Sequence, residues 1–145
     1  MKHFLLIPLL LITNFLNAQH RIGRTKAEII KEFANEKFSS TKLNGDQELL
    51  LLVTDTVACF YQIDKKGICV MTMFRPLTNL ALKHYIENCN KNYIIENDKS
   101  WKVYTTDNGI ITVKLGLIKD ENESFYILSF YSEEAWKEHL KAGGS

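Results

Sequence analysis

Residues 54–74, TDTVACFYQIDKKGICVMTMF, constrain the fold more than any other stretch, because they read as a β-hairpin with apolar side chains on both faces. Asp64-Lys65-Lys66-Gly67 places a side-chain acceptor at the head of the turn and glycine where a positive φ is needed, the pattern of a type I turn followed by a bulge. In that register Ile63 opposes Cys69, Tyr61 opposes Met71 and Cys59 opposes Met73. Side chains alternate along strands, so one face carries Cys59, Tyr61, Ile63, Cys69, Met71 and Met73. The other carries Ala58, Phe60, Gln62, Ile68, Val70, Thr72 and Phe74. A slip of one residue exchanges the partners of a whole strand. In either register the hairpin has two apolar faces, and one layer of helices covers only one of them.

The chain opens with Lys2 and His3, an unbroken apolar run over residues 4–12, and Asn17-Ala18-Gln19. That is the plan of a signal peptide, residues 1–18, with cleavage after Ala18 and export to the periplasm or the exterior. The apolar run is too short for a comfortable membrane span, a retained anchor being the alternative to cleavage, and no transmembrane span is expected in residues 19–145. Those residues suit a single α+β domain. The chain has 18 basic and 17 acidic residues, and cleavage removes Lys2, leaving the exported chain neutral. With no basic cluster, neither nucleic acid nor an anionic membrane surface is an expected partner.

Thr25 and Glu28 form a capping box ahead of Ile29, Ile30, Phe33 and Phe38, which predicts a helix over 26–38. Residues 22–29 resemble the helix start of small envelope proteins of the SmpA/OmlA type, but the Gly-x-Pro that usually closes that helix is absent and no family follows. A polar loop is expected over 39–46, then strands over 48–54, 57–63 and 68–74. Thr78 caps a second helix, 79–92, whose inner stripe is Leu82, Tyr85, Ile86, Cys89 and Tyr93. A loop to Asp98 precedes one-sided strands over 99–105 and 110–118. The run 125–131, FYILSFY, reads as a central strand, and Ser132 caps a short final helix with Trp136 and Leu140.

The halves 25–75 and 78–132 share one plan, a capped helix followed by three strands, and both helix-to-strand spans close on a Thr-Asp pair. The expected fold is α+β: tandem αβββ units forming an antiparallel sheet, with two helices on one face and a short C-terminal helix.

No residue pattern selects a catalytic site. His84 and Cys89 lie five apart on one helix, out of hydrogen-bond reach, and no zinc-ligand spacing occurs. Asp55, Asp64, Asp107 and Asp120 fall at turns, where aspartate bonds local backbone. No catalytic residue, metal or cofactor is assigned. Cys59 and Cys69 are separated by four residues along the strand, about 13 Å, beyond a disulfide's reach. Any bridge would therefore join Cys89 to Cys59 or Cys69, against the alternative of three buried free thiols.

The functional expectation is a non-enzymatic binding module working through the sheet face opposite the helices. Its candidate contact residues are Phe60, Ile68, Val70, Phe74, Phe125 and Tyr131. Three occupants fit that face: a protein partner, a second copy, or the chain's own C-terminal helix. A small hydrolase and a lipid or small-ligand carrier are the competing classes.

Overall fold

The computed structural model describes residues 21–145; the expected signal peptide lies outside them. The order of elements is α1 (Lys26–Glu32), β1 (Phe38–Lys42), β2 (Glu48–Val53), β3 (Val57–Ile63), β4 (Cys69–Pro76), α2 (Asn79–Asn92), β5 (Ile94–Asn97), β6 (Ser100–Tyr104), β7 (Ile110–Lys119), β8 (Ser124–Tyr131) and α3 (Glu133–Lys141). Among the described residues the strands form one antiparallel eight-stranded sheet in the order β1-β2-β3-β4-β8-β7-β6-β5. The α+β architecture read from the sequence is therefore correct, and each half is a helix followed by four strands. The last strand of each half, β4 or β8, meets the other at the central seam.

The two strands beyond expectation are the sheet edges, β1 and β5. All of β5 is exposed, and β1 is exposed beyond Phe38, so neither shows the alternation that burial imprints on a sequence. Helix α1 is shorter than its periodicity suggests, because Phe33 leaves helical geometry as its C-cap. Phe38 instead pairs with Leu52 and packs on the core.

One cross-strand row shows how the front of the sheet is filled: Leu50, Tyr61, Thr72, Phe130, Val113 and Trp101 stand side by side from β2 to β6. All six are at most 2% exposed. Ile29 and Phe33 of α1 and Tyr85 and Cys89 of α2 close over this face, so both helices lie on one side. Tyr85 and Phe130 meet Phe74 at 5.5 and 5.8 Å between ring centroids. Side chains of this size each contribute on the order of 2–3 kcal/mol when fully buried.

Ahead of α1, residues 22–25 run beside the start of β4. Gly23 N–H donates to the Cys69 carbonyl at 2.8 Å, and Cys69 N–H donates to the Arg24 carbonyl at 2.8 Å. Gly23 has φ +86°, a left-handed conformation that other residues adopt only with strain, and a Cβ there would push the Asn108 side chain aside.

The hairpin turn forms as its sequence predicts. Gly67 has φ +81°, and Asp64 Oδ1 accepts from the backbone N–H of Lys66 and Ile68, both at 2.9 Å. Ile63 opposes Cys69, as expected, but the ladder then shifts by one residue: Tyr61 opposes Thr72, and Cys59 opposes Phe74. Val70 is the extra residue, and its carbonyl accepts from Ser132 N–H at 3.0 Å, where β8 leaves the sheet for α3. This bulge corrects the expected faces. It turns Thr72 and Phe74 to the front and Met71 and Met73 to the rear.

Candidate functional site: the rear of the sheet

Behind the core, the register assembles a second row across six strands: Leu51, Phe60, Met73, Ser129, Lys114 and Ser100. Its first three members, from the first half, are apolar; its last three, from the second, are polar. The neighbouring row is mixed: Leu49, Gln62 and Met71 lead to Tyr131, Thr112 and Lys102.

Helix α3 folds back onto this rear face. Trp136 and His139 pack against Tyr131 at tilted angles with centroids 5.2 and 5.0 Å away, and Lys114 Nζ lies 5.1 Å from the Trp136 ring. Tyr131, Ser129 and Thr112 are buried in consequence. Burial holds the Tyr131 phenol above its ordinary pKa, partly offset by a hydrogen bond with Ser129. The tail thus lies over β7, β8 and the start of β4, across the seam between the halves. Leu49, Leu51, Phe60, Met71 and Met73 remain only half-buried, and Val53 beside them is 55% exposed.

Where roof and open strip meet there is a groove of about 740 Å³. It is lined by Val70, Met71 and Tyr131 of the sheet, by Asp64, Lys65 and Lys66 of the hairpin turn, and by Glu134 and Glu138 of α3. Gln62 and Gln47 add a hydrogen bond of 2.8 Å beside it.

The six expected contact residues do not all reach this surface. Phe60 lies on the open strip, and Val70 lines the groove through the bulge. Phe125 is on the rear, half-buried beneath the Arg75 guanidinium at 3.8 Å, which is itself paired with Glu123 at 3.1 Å. Tyr131 is on the rear but buried under α3. Ile68 is bridged to Thr25 at the hairpin's base. Phe74 is in the front core, 1% exposed, because the Val70 bulge reversed its face. The residues missed were Met73, which the simpler register placed on the other face, and Leu51, which nothing in the apolar run of β2 singled out. The charged sides of the groove were missed too, since no local pattern shows which way a terminal helix folds.

All three cysteines are free and buried, with no bridge from Cys89 to either partner. Burial raises the thiols of Cys59 and Cys89 to about 12 and that of Cys69 to about 11. Thiols so far from ionisation are poor nucleophiles at neutral pH. His84 is exposed beside Glu87 at 3.9 Å, on α2 in front of the sheet, whereas His139 is behind it. The groove does bring His139, Asp64 and Tyr131 to one cleft, but the imidazole has aromatic neighbours and Asp64 Oδ1 is taken by its turn. Among the described residues no three His, Cys, Asp or Glu side chains are placed to hold a metal, and no helix is long and apolar enough to cross a membrane. Comparison of the chain with protein-family models, curated proteins and solved structures returned no match.

Proposed function

We propose that this chain is an exported, non-enzymatic interaction module that docks a polypeptide partner on the rear of its first half. The observation that carries the reading is the row Leu51-Phe60-Met73, three apolar neighbours on three strands that all stay partly exposed on the rear of the sheet. Its make-up is that of a protein interface: aliphatic, aromatic and methionine side chains at the centre, charged groups at the rim. Here the rim is Arg75 with Glu123 at one end and Lys65, Lys66, Glu134 and Glu138 at the other. Methionine suits such a place because its flexible thioether adapts to a partner's shape. Export follows from the signal-peptide pattern of residues 1–18.

Native mass spectrometry of the chain isolated from the compartment to which it is exported tests this reading. The expected spectrum shows the chain with a second polypeptide, and Phe60→Asp releases that polypeptide while the far-ultraviolet circular dichroism stays unchanged. A bare monomer contradicts the reading, and a small-molecule mass excess replaces it with a ligand carrier.

A further inference from the structure

Building on that docking reading, we propose that the partner is a second copy of this chain, packed rear to rear about a twofold axis. A twofold interface needs a patch complementary to itself, so that if residue i meets j, then j also meets i. The groove meets this condition. Its lining takes Lys65 and Lys66, next to Asp64, from the hairpin turn, Glu134 and Glu138 from α3, and the apolar Val70 and Met71 from β4. All four charged side chains are exposed, and among the described residues none has an ion-pair partner. Rotating a second copy by 180° brings its hairpin turn toward the α3 glutamates of the first, and the same operation returns the first copy's turn to the second copy's glutamates. Both contacts are attractive, and the two apolar strips are buried together.

The division of labour follows from physical chemistry. Solvent-exposed pairs at the rim contribute little affinity each, but like charges brought together there are strongly disfavoured. The apolar strip supplies the attraction, and the charges select the partner and its orientation.

The test uses two variants of the exported chain. One is Lys65→Glu with Lys66→Glu. The other is Glu134→Gln with Glu138→Lys; glutamine is chosen at the first position because a cation in the first turn of α3 would oppose the helix dipole. Light scattering and sedimentation of the wild type should show a concentration-dependent dimer that weakens with salt. Each variant alone sets like charges against like and should weaken the dimer roughly 10- to 100-fold. An equimolar mixture sets opposite charges against each other at both ends, and should recover dimers of near wild-type strength. Circular dichroism checks that both variants remain folded.

A wild type that stays monomeric at every concentration, or a mixture no tighter than its separate components, overturns the proposal. If the purified chain is monomeric while the natively isolated chain carries a different polypeptide that Phe60→Asp releases, the second copy is wrong and the docking surface stands. If both are bare monomers, both readings fall.

Discussion

In the first half of the molecule the rear of the sheet carries Leu51, Phe60 and Met73; in the second half the same row continues as Ser129, Lys114 and Ser100. The two halves have the same order of elements, the same kind of exposed edge strand, and helices on the same face. They differ in what covers them from behind. The C-terminal helix lies over the central seam and β7, seating Trp136 on Tyr131 and Lys114, and leaves Leu51, Phe60 and Met73 partly exposed. A tail that served only to hide apolar surface from water would sit further over β2 and β3. The arrangement is reasonable when the open half is reserved for another chain.

The largest expected effect separates front from rear on a single strand. Phe74→Ala removes a core side chain and should cost about 3–5 kcal/mol in urea unfolding, whereas Met73→Ala, its neighbour, should cost less than about 1 kcal/mol. Equal losses would mean that the rear is as closed as the front, and would break the comparison. Gly23→Ala comes next: a left-handed backbone and a collision with Asn108 should destabilise the chain by about 1–3 kcal/mol.

A smaller effect tests the roof. Trp136→Ala should cost about 1–2 kcal/mol and should bring the Tyr131 phenol back toward its ordinary pKa in an ultraviolet titration, because burial is the larger cause of its shift. An unchanged Tyr131 titration would mean that α3 does not shield the second half.

The smallest effect compares two carboxylates near the edges. Lys26 and Ser40 hydrogen-bond Glu48, and Lys102 and Ser100 hydrogen-bond Glu96; each carboxyl is held below its usual pKa, first by its lysine. A carboxyl depressed in the folded state adds stability above its unfolded pKa and loses it as pH falls through the folded value. Stability should therefore fall on acidification below the ordinary carboxylate range. Glu48→Gln should flatten that fall more than Glu96→Gln, because Glu48 is 8% exposed while Glu96 is open to solvent. Equal flattening would contradict the difference in burial.

How much of this was legible in the sequence depended on burial. Core strands and capped helices announced themselves through periodicity, and Thr25, Thr78 and Ser132 cap α1, α2 and α3 where their side chains suggested. The exposed edge strands left no such trace, because a strand wet on both faces has no reason to alternate. The Val70 bulge was illegible for another reason: the extra residue's carbonyl accepts from Ser132 N–H, a partner distant in sequence. That single insertion decided whether Phe74 or Met73 faces outward. The two-sided apolarity of the hairpin was readable from the start; which of its residues remain open was a matter of tertiary contacts.

The most direct measurement is the fraction of natively isolated chain that carries a second polypeptide, compared between wild type and Met73→Asp. The account predicts that the substitution abolishes the complex while leaving the thermal midpoint within a few degrees of wild type. A complex that survives Met73→Asp, or a chain that unfolds because of it, would contradict the claim that the first half keeps its rear open for a partner.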